Sequence, residues 1–107
     1  MLGDCAIIAF VATQQPERAK AFYSKVLGLR LASNTSFALV FDARGTMLRV
    51  VKVHALTPAP HTVLGWNVPD IRAAMDRLAK NGIAFERYTG IDQDEFGVWT
   101  TPDDHKV

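Results

Sequence analysis

The sequence has 107 residues, 49% of them hydrophobic, with 12 basic against 11 acidic side chains and a net charge of +1. That length predicts one domain, long enough to bury a core without staples. The evenly spread charge leaves no electrostatic footprint for nucleic acid or an anionic membrane, and a single cysteine excludes an internal disulfide.

No charged segment followed by an apolar run opens the sequence, and no stretch reaches membrane-spanning length, so a cytoplasmic protein is expected. Residues 5–11 are apolar on both faces and predict a strand with a buried Cys5. Pro16 suits the first position of a helix, Ala19, Phe22, Tyr23, Val26 and Leu27 form its apolar stripe, and Gly28 suits the position just past its end. Gln15 is a poor cap, which leaves that task to Thr13. A short strand is expected over 29–32 and a polar turn over 33–35. Phe37, Leu39 and Phe41 alternate with Ala38, Val40 and Asp42 as a half-buried strand, with Phe37 and Phe41 packing under the helices. Residues 42–45 carry hairpin chemistry, and 47–53 read as the partner strand.

Residues 54–60, with Pro58 and Pro60, join this half to the next. A strand is predicted over 62–68, followed by Pro69 and an Asp70 cap. The next helix has Ile71, Ala74, Met75 and Leu78 as its inner stripe and Asn81-Gly82 as its stop. Strands are then expected over 83–88 and 96–101, separated by a polar loop over 89–95. A turn follows at 102–104, and a new strand is expected to begin at Val107.

The order strand, proline and acid, amphipathic helix, strands occurs twice, from Cys5 and from Thr62. It predicts an α+β fold of two βαβββ modules, about 5–53 and about 61–107, with one helix each on one face of a curved mixed sheet. The other face stays free for a ligand. An ordinary α+β sandwich without a pocket fits the same pattern.

Phe10-Val11, Pro16-Glu17-Arg18-Ala19, Phe22-Tyr23 and Val26-Leu27-Gly28-Leu29 together resemble the first module of the vicinal oxygen chelate superfamily. This superfamily includes glyoxalase I, extradiol dioxygenases and bleomycin- and fosfomycin-resistance proteins. Val68-Pro69-Asp70-Ile71, the run from Leu78 to Ile83, and Gly97-Val98-Trp99 with Thr101-Pro102-Asp103 resemble its second module. The resemblance implies a single glyoxalase/bleomycin-resistance-like domain over 1–107, C-terminally incomplete because the family's last strand would lie beyond Val107. It implies a homodimer as well. Metal-dependent members place His, Gln or Glu at positions that here, by the resemblance, hold Ile8, Val51 and Val63. The expectation is therefore no metal and no other cofactor.

The aromatic residues on or beside strands point to a small-molecule cleft, whose candidates are Phe10, Arg49, His61, Trp66, Tyr88, Phe96 and Trp99. Arg49 interrupts an apolar alternation, either as a rim residue with a buried stem or as a bidentate partner for an anion. His61 is either a polar residue at a strand entrance or a ligand. Three functions stay open. The first is metal-free binding of a small molecule, similar in kind to drug-binding resistance proteins. The second is a divalent-metal lyase or dioxygenase using His61 and carboxylates. The third is an interaction domain without a pocket.

Overall fold

The alternating segments of the first half fold into one four-stranded sheet in the order β1-β4-β3-β2. The strands are β1 (Ile8–Thr13), β2 (Arg30–Asn34), β3 (Ala38–Ala43) and β4 (Thr46–Lys52). β1 and β4 run parallel, while β3 is antiparallel to both its neighbours. The computed structural model describes residues 1–107 and divides them into two units, Met1–Trp66 and Asn67–Val107.

Register fixes what each face of the first unit carries. Ala9 aligns with Leu48 and Phe41, and Val11 with Val50 and Leu39. Leu39, Phe41, Leu48 and Val50 form the buried core, against which Ala19, Tyr23, Leu29, Leu31 and Leu64 pack. Phe41 is 0% exposed; burying such a side chain stabilises by roughly 1.5–3 kcal/mol. Its ring centroid lies 5.5 Å from that of Tyr23, so the helix is held to the sheet by an aromatic contact.

Local chemistry sets the element ends. The hairpin between β3 and β4 turns on Arg44 and Gly45, both at positive φ (51° and 87°), the geometry of a type I′ turn. Asp42 Oδ1 accepts the Gly45 N–H at 3.1 Å and closes it. Thr13 Oγ1 accepts the Gln15 N–H at 3.0 Å ahead of α1 (Pro16–Ala21). The helix predicted to run on to Leu27 instead widens to a π-turn over Phe22–Val26. The Ser24 hydroxyl donates to the Lys20 carbonyl at 2.5 Å, a back-bond that bends helices. Gly28, at φ 76°, ends it as expected.

In the second unit α2 (Ile71–Lys80) has the predicted boundaries. The Asp70 carboxylate accepts the Ala73 N–H at 3.1 Å. At the other end Gly82 adopts φ 86°, and Ile83 N–H reaches back to the Leu78 carbonyl at 3.1 Å. Val98, 6% exposed, is the buried side chain of this unit.

The α+β class holds, and the first unit has the expected βαβββ order. Several expected details differ. Cys5 is exposed and precedes β1, because β4 begins to pair only opposite Ile8 and leaves residues 5–7 without a neighbour. Phe37, 76% exposed, stands before β3 rather than under a helix. There the Thr35 hydroxyl accepts its N–H at 3.2 Å in a side-chain turn. The strands predicted over 62–68 and 83–88 do not form, and that over 96–101 is reduced to two isolated bridges, Gln93 with Trp99 and Thr100 with Lys106. Residues 62–68 find no ladder partner, and in the other two segments side chains take the hydrogen bonds a ladder would have used. No helix is long and apolar enough to cross a membrane.

Candidate functional site

The face of the first unit's sheet opposite the core is apolar and partly bare. It carries Ile8, Phe10 and Ala12 from β1, Met47, Arg49 and Val51 from β4, and Ala38, Val40 and Asp42 from β3. Ile8, Phe10 and Met47 are exposed, Phe10 to 60%. Small or branched residues on β3 keep the centre of the face low: Ala38 and Val40 are buried. Large exposed apolar side chains beside each other on a sheet mark a surface suited to a ligand or partner.

Two of the residues expected in a cleft meet here. Phe10 and Arg49 are register partners across the parallel β1–β4 pair, and Val40 is the partner of Arg49 on its other side. Arg49 is half-buried, and its side chain makes no hydrogen bond or ion pair. The other ionic groups of this sheet are engaged. Arg30 lies 3.9 Å from Asp42, and Lys52 Nζ donates to Asn34 Oδ1 at 2.7 Å and to the Thr35 carbonyl at 2.6 Å.

His61 and Trp66 lie beyond β4 on an irregular segment, both exposed. The second unit places Tyr88, Phe96 and Trp99 around one polar turn. Asp94 accepts the N–H groups of Phe96 and Val98, each at 2.9 Å, and the bond from Val98 is the first reason its carboxyl titrates below the ordinary range. Gln93 accepts the Tyr88 N–H at 2.7 Å and donates to the Glu86 and Gly97 carbonyls at 3.1 and 2.8 Å. The Arg72 guanidinium sits 3.2 Å over the Phe96 ring, so that ring has a cation partner already. Trp99 exchanges two backbone hydrogen bonds with Val107, each at 2.8 Å.

A depression of about 330 Å³ lies at the junction of β1 and α1, with Thr13, Gln14, Arg18, Phe22, Tyr23 and Leu56 among its lining residues. Burial raises the Tyr23 phenol above the ordinary tyrosine range. None of the residues expected in a cleft borders it. Nothing in the residue type or spacing of residues 12–15 signals a hollow made by the path of the chain.

Comparison with known proteins follows the same line. The family described as Glyoxalase/Bleomycin resistance protein/Dioxygenase superfamily matches residues 5–107. Among solved structures, a glyoxalase family protein from Bacillus anthracis is similar with a TM-score of 0.59 at 19% identity, covering 86% of this chain and 87% of that one. The lactoylglutathione lyase from Agrobacterium tumefaciens is similar with a TM-score of 0.59 at 15% identity, covering 90% and 81%. TioX from Micromonospora sp. ML1 is similar with a TM-score of 0.53 at 19% identity, covering 94% and 93%. At these identities the likeness is one of fold. No curated protein matches the chain.

Metal chemistry occurs in this family, and the side chains can be tested for it. Ile8 and Val51 both stand on the open sheet face, where a slip of two residues would put Ala6 or Phe10, and Arg49 or Val53, in their places. None of these has a lone pair to offer a cation, and neither does Val63; the same slip there gives His61 or Gly65, of which His61 alone could ligate. In neither unit do three His, Cys, Asp or Glu side chains converge. A catalytic divalent ion needs about three protein ligands, so the residues present do not fit one.

Proposed function

This chain belongs to the Glyoxalase/Bleomycin resistance protein/Dioxygenase superfamily, and from that premise we propose that it is a metal-free small-molecule-binding member. Its ligand lies on the open face of the β1–β4–β3 sheet, and the working form is a cytoplasmic homodimer. The observation that carries this reading is the pairing of an exposed Phe10 ring with a half-buried Arg49 on a face whose other residues, Asp42 apart, are apolar. Apolar walls with a few polar groups that fix orientation describe small-molecule sites. The aliphatic side chains at the family's ligand positions support binding without a metal. The exposed apolar side chains support association of two copies.

The test is chemical-shift mapping of the full chain against a set of small aromatic compounds, with sedimentation run beside it. Shifts gathered at Phe10, Val40, Met47 and Arg49 are the expected result. Shifts confined to the depression around Tyr23, or none at all, would count against the open face.

A further inference from the structure

Arg49 is a cation in the wrong surroundings for a structural one. Its register neighbours are Phe10 and Val40, and along β4 its neighbours on the same face are Met47 and Val51. The acid of that face, Asp42, is already engaged by Arg30 at 3.9 Å and by the Gly45 N–H at 3.1 Å. Lys52, three residues further along the same strand, is what a structural cation of this sheet looks like, with two short hydrogen bonds to Asn34 and Thr35. Arg49 has none. A guanidinium with no protein partner, on a half-buried residue flanked by apolar side chains, is the kind of group a ligand completes.

Resting on the reading above, we propose that the ligand is an aromatic carboxylate whose carboxylate meets the Arg49 guanidinium and whose ring lies on Phe10. Two features select this class. A guanidinium presents a planar fork that matches a carboxylate with two parallel hydrogen bonds, which an amide or alcohol of the same shape cannot reproduce. The Phe10 side chain beside it offers a ring for offset or edge-on packing. Val40, on the other side of Arg49 from Phe10, keeps that flank of the guanidinium apolar.

The probes are 2-naphthoate and its uncharged isostere 2-naphthamide, titrated into the full chain and followed by amide and arginine Nε–H shifts. The naphthoate is expected to bind at least about tenfold more tightly, with shifts at Phe10, Val40 and Arg49. That preference disappears in Arg49→Met, which keeps the apolar stem, and returns in part in Arg49→Lys. Equal binding of both probes at these residues would overturn the carboxylate inference while the open-face reading stands. Failure of both probes to shift these residues would overturn the two together. A preference that survives Arg49→Met would assign the anion to another group and overturn the role of Arg49.

Discussion

The first unit is held by burial and the second by polar side chains bonding to backbone. In the first, Leu39, Phe41, Leu48 and Val50 are packed between sheet and helix, and each strand is fixed by its neighbours. In the second, only Val98 is buried, and the turn around it depends on Gln93, Asp94 and Arg87, whose guanidinium donates to the Asp94 and Glu95 carbonyls at 2.5 and 2.7 Å. Apolar burial is roughly proportional to area and insensitive to pH, whereas a hydrogen bond is worth only about 0.5–1.5 kcal/mol net and can depend on a charge state. The difference therefore teaches where the chain resists change and where it responds to conditions.

Substitutions can break that contrast. Phe41→Ala is expected to have the largest effect, a loss of about 3–5 kcal/mol in denaturant unfolding, because it leaves a cavity in the core. A loss below about 1 kcal/mol would mean that this core is not what holds the first unit. Val98→Ala, which removes two methyl groups, is expected to cost roughly 1–2 kcal/mol. Asp70→Ala deletes the cap of α2 and is expected to cost about 1 kcal/mol, read from denaturant midpoints and from the far-ultraviolet helical signal. Arg44→Asn relieves the positive φ of the hairpin turn and is expected to stabilise by less than about 1 kcal/mol.

The smallest change at neutral pH sharpens the contrast in acid. The Asp94 carboxyl is lowered first by the Val98 N–H, with the Phe96 and Gly97 N–H groups and the Arg72 charge also lowering it, while desolvation opposes them. A carboxylate depressed in the folded state stabilises above its unfolded pKa, and that contribution is lost as pH falls through the folded value. The Phe96 and Val98 amide shifts are thus expected to move with a midpoint below 3.8, while core amides of β3 and β4 stay flat. In Asp94→Asn that titration disappears. A midpoint at or above the ordinary aspartate value would remove the charge from the explanation.

Legibility in sequence divides along the same line. α2 was readable from Asp70 to Gly82 because its caps are local chemistry. The β3–β4 hairpin was readable because Gly45 and Asp42 declare a turn. Alternation also singled out Arg49 as a charge in an apolar strand before any register was known. The strand expected over 83–88 shows what alternation cannot report. Its pattern is apolar enough, yet Tyr88 N–H goes to the Gln93 side chain and Arg87 reaches carbonyls seven and eight residues on. Such contacts between side chain and backbone leave no periodicity. The unpaired state of Arg49 was equally invisible, since it depends on which side chains the register sets beside it.

The most direct test of a metal-free site on the open sheet face is the metal content of the full chain, purified without chelator or affinity-tag metal, with thermal unfolding repeated in added nickel, zinc, iron and manganese. Far less than one equivalent of bound metal and an unchanged midpoint are expected, since Ile8, Val51 and Val63 offer no ligand. Near-stoichiometric metal with a raised midpoint would contradict this and make the chain one of the metal-dependent members of its family.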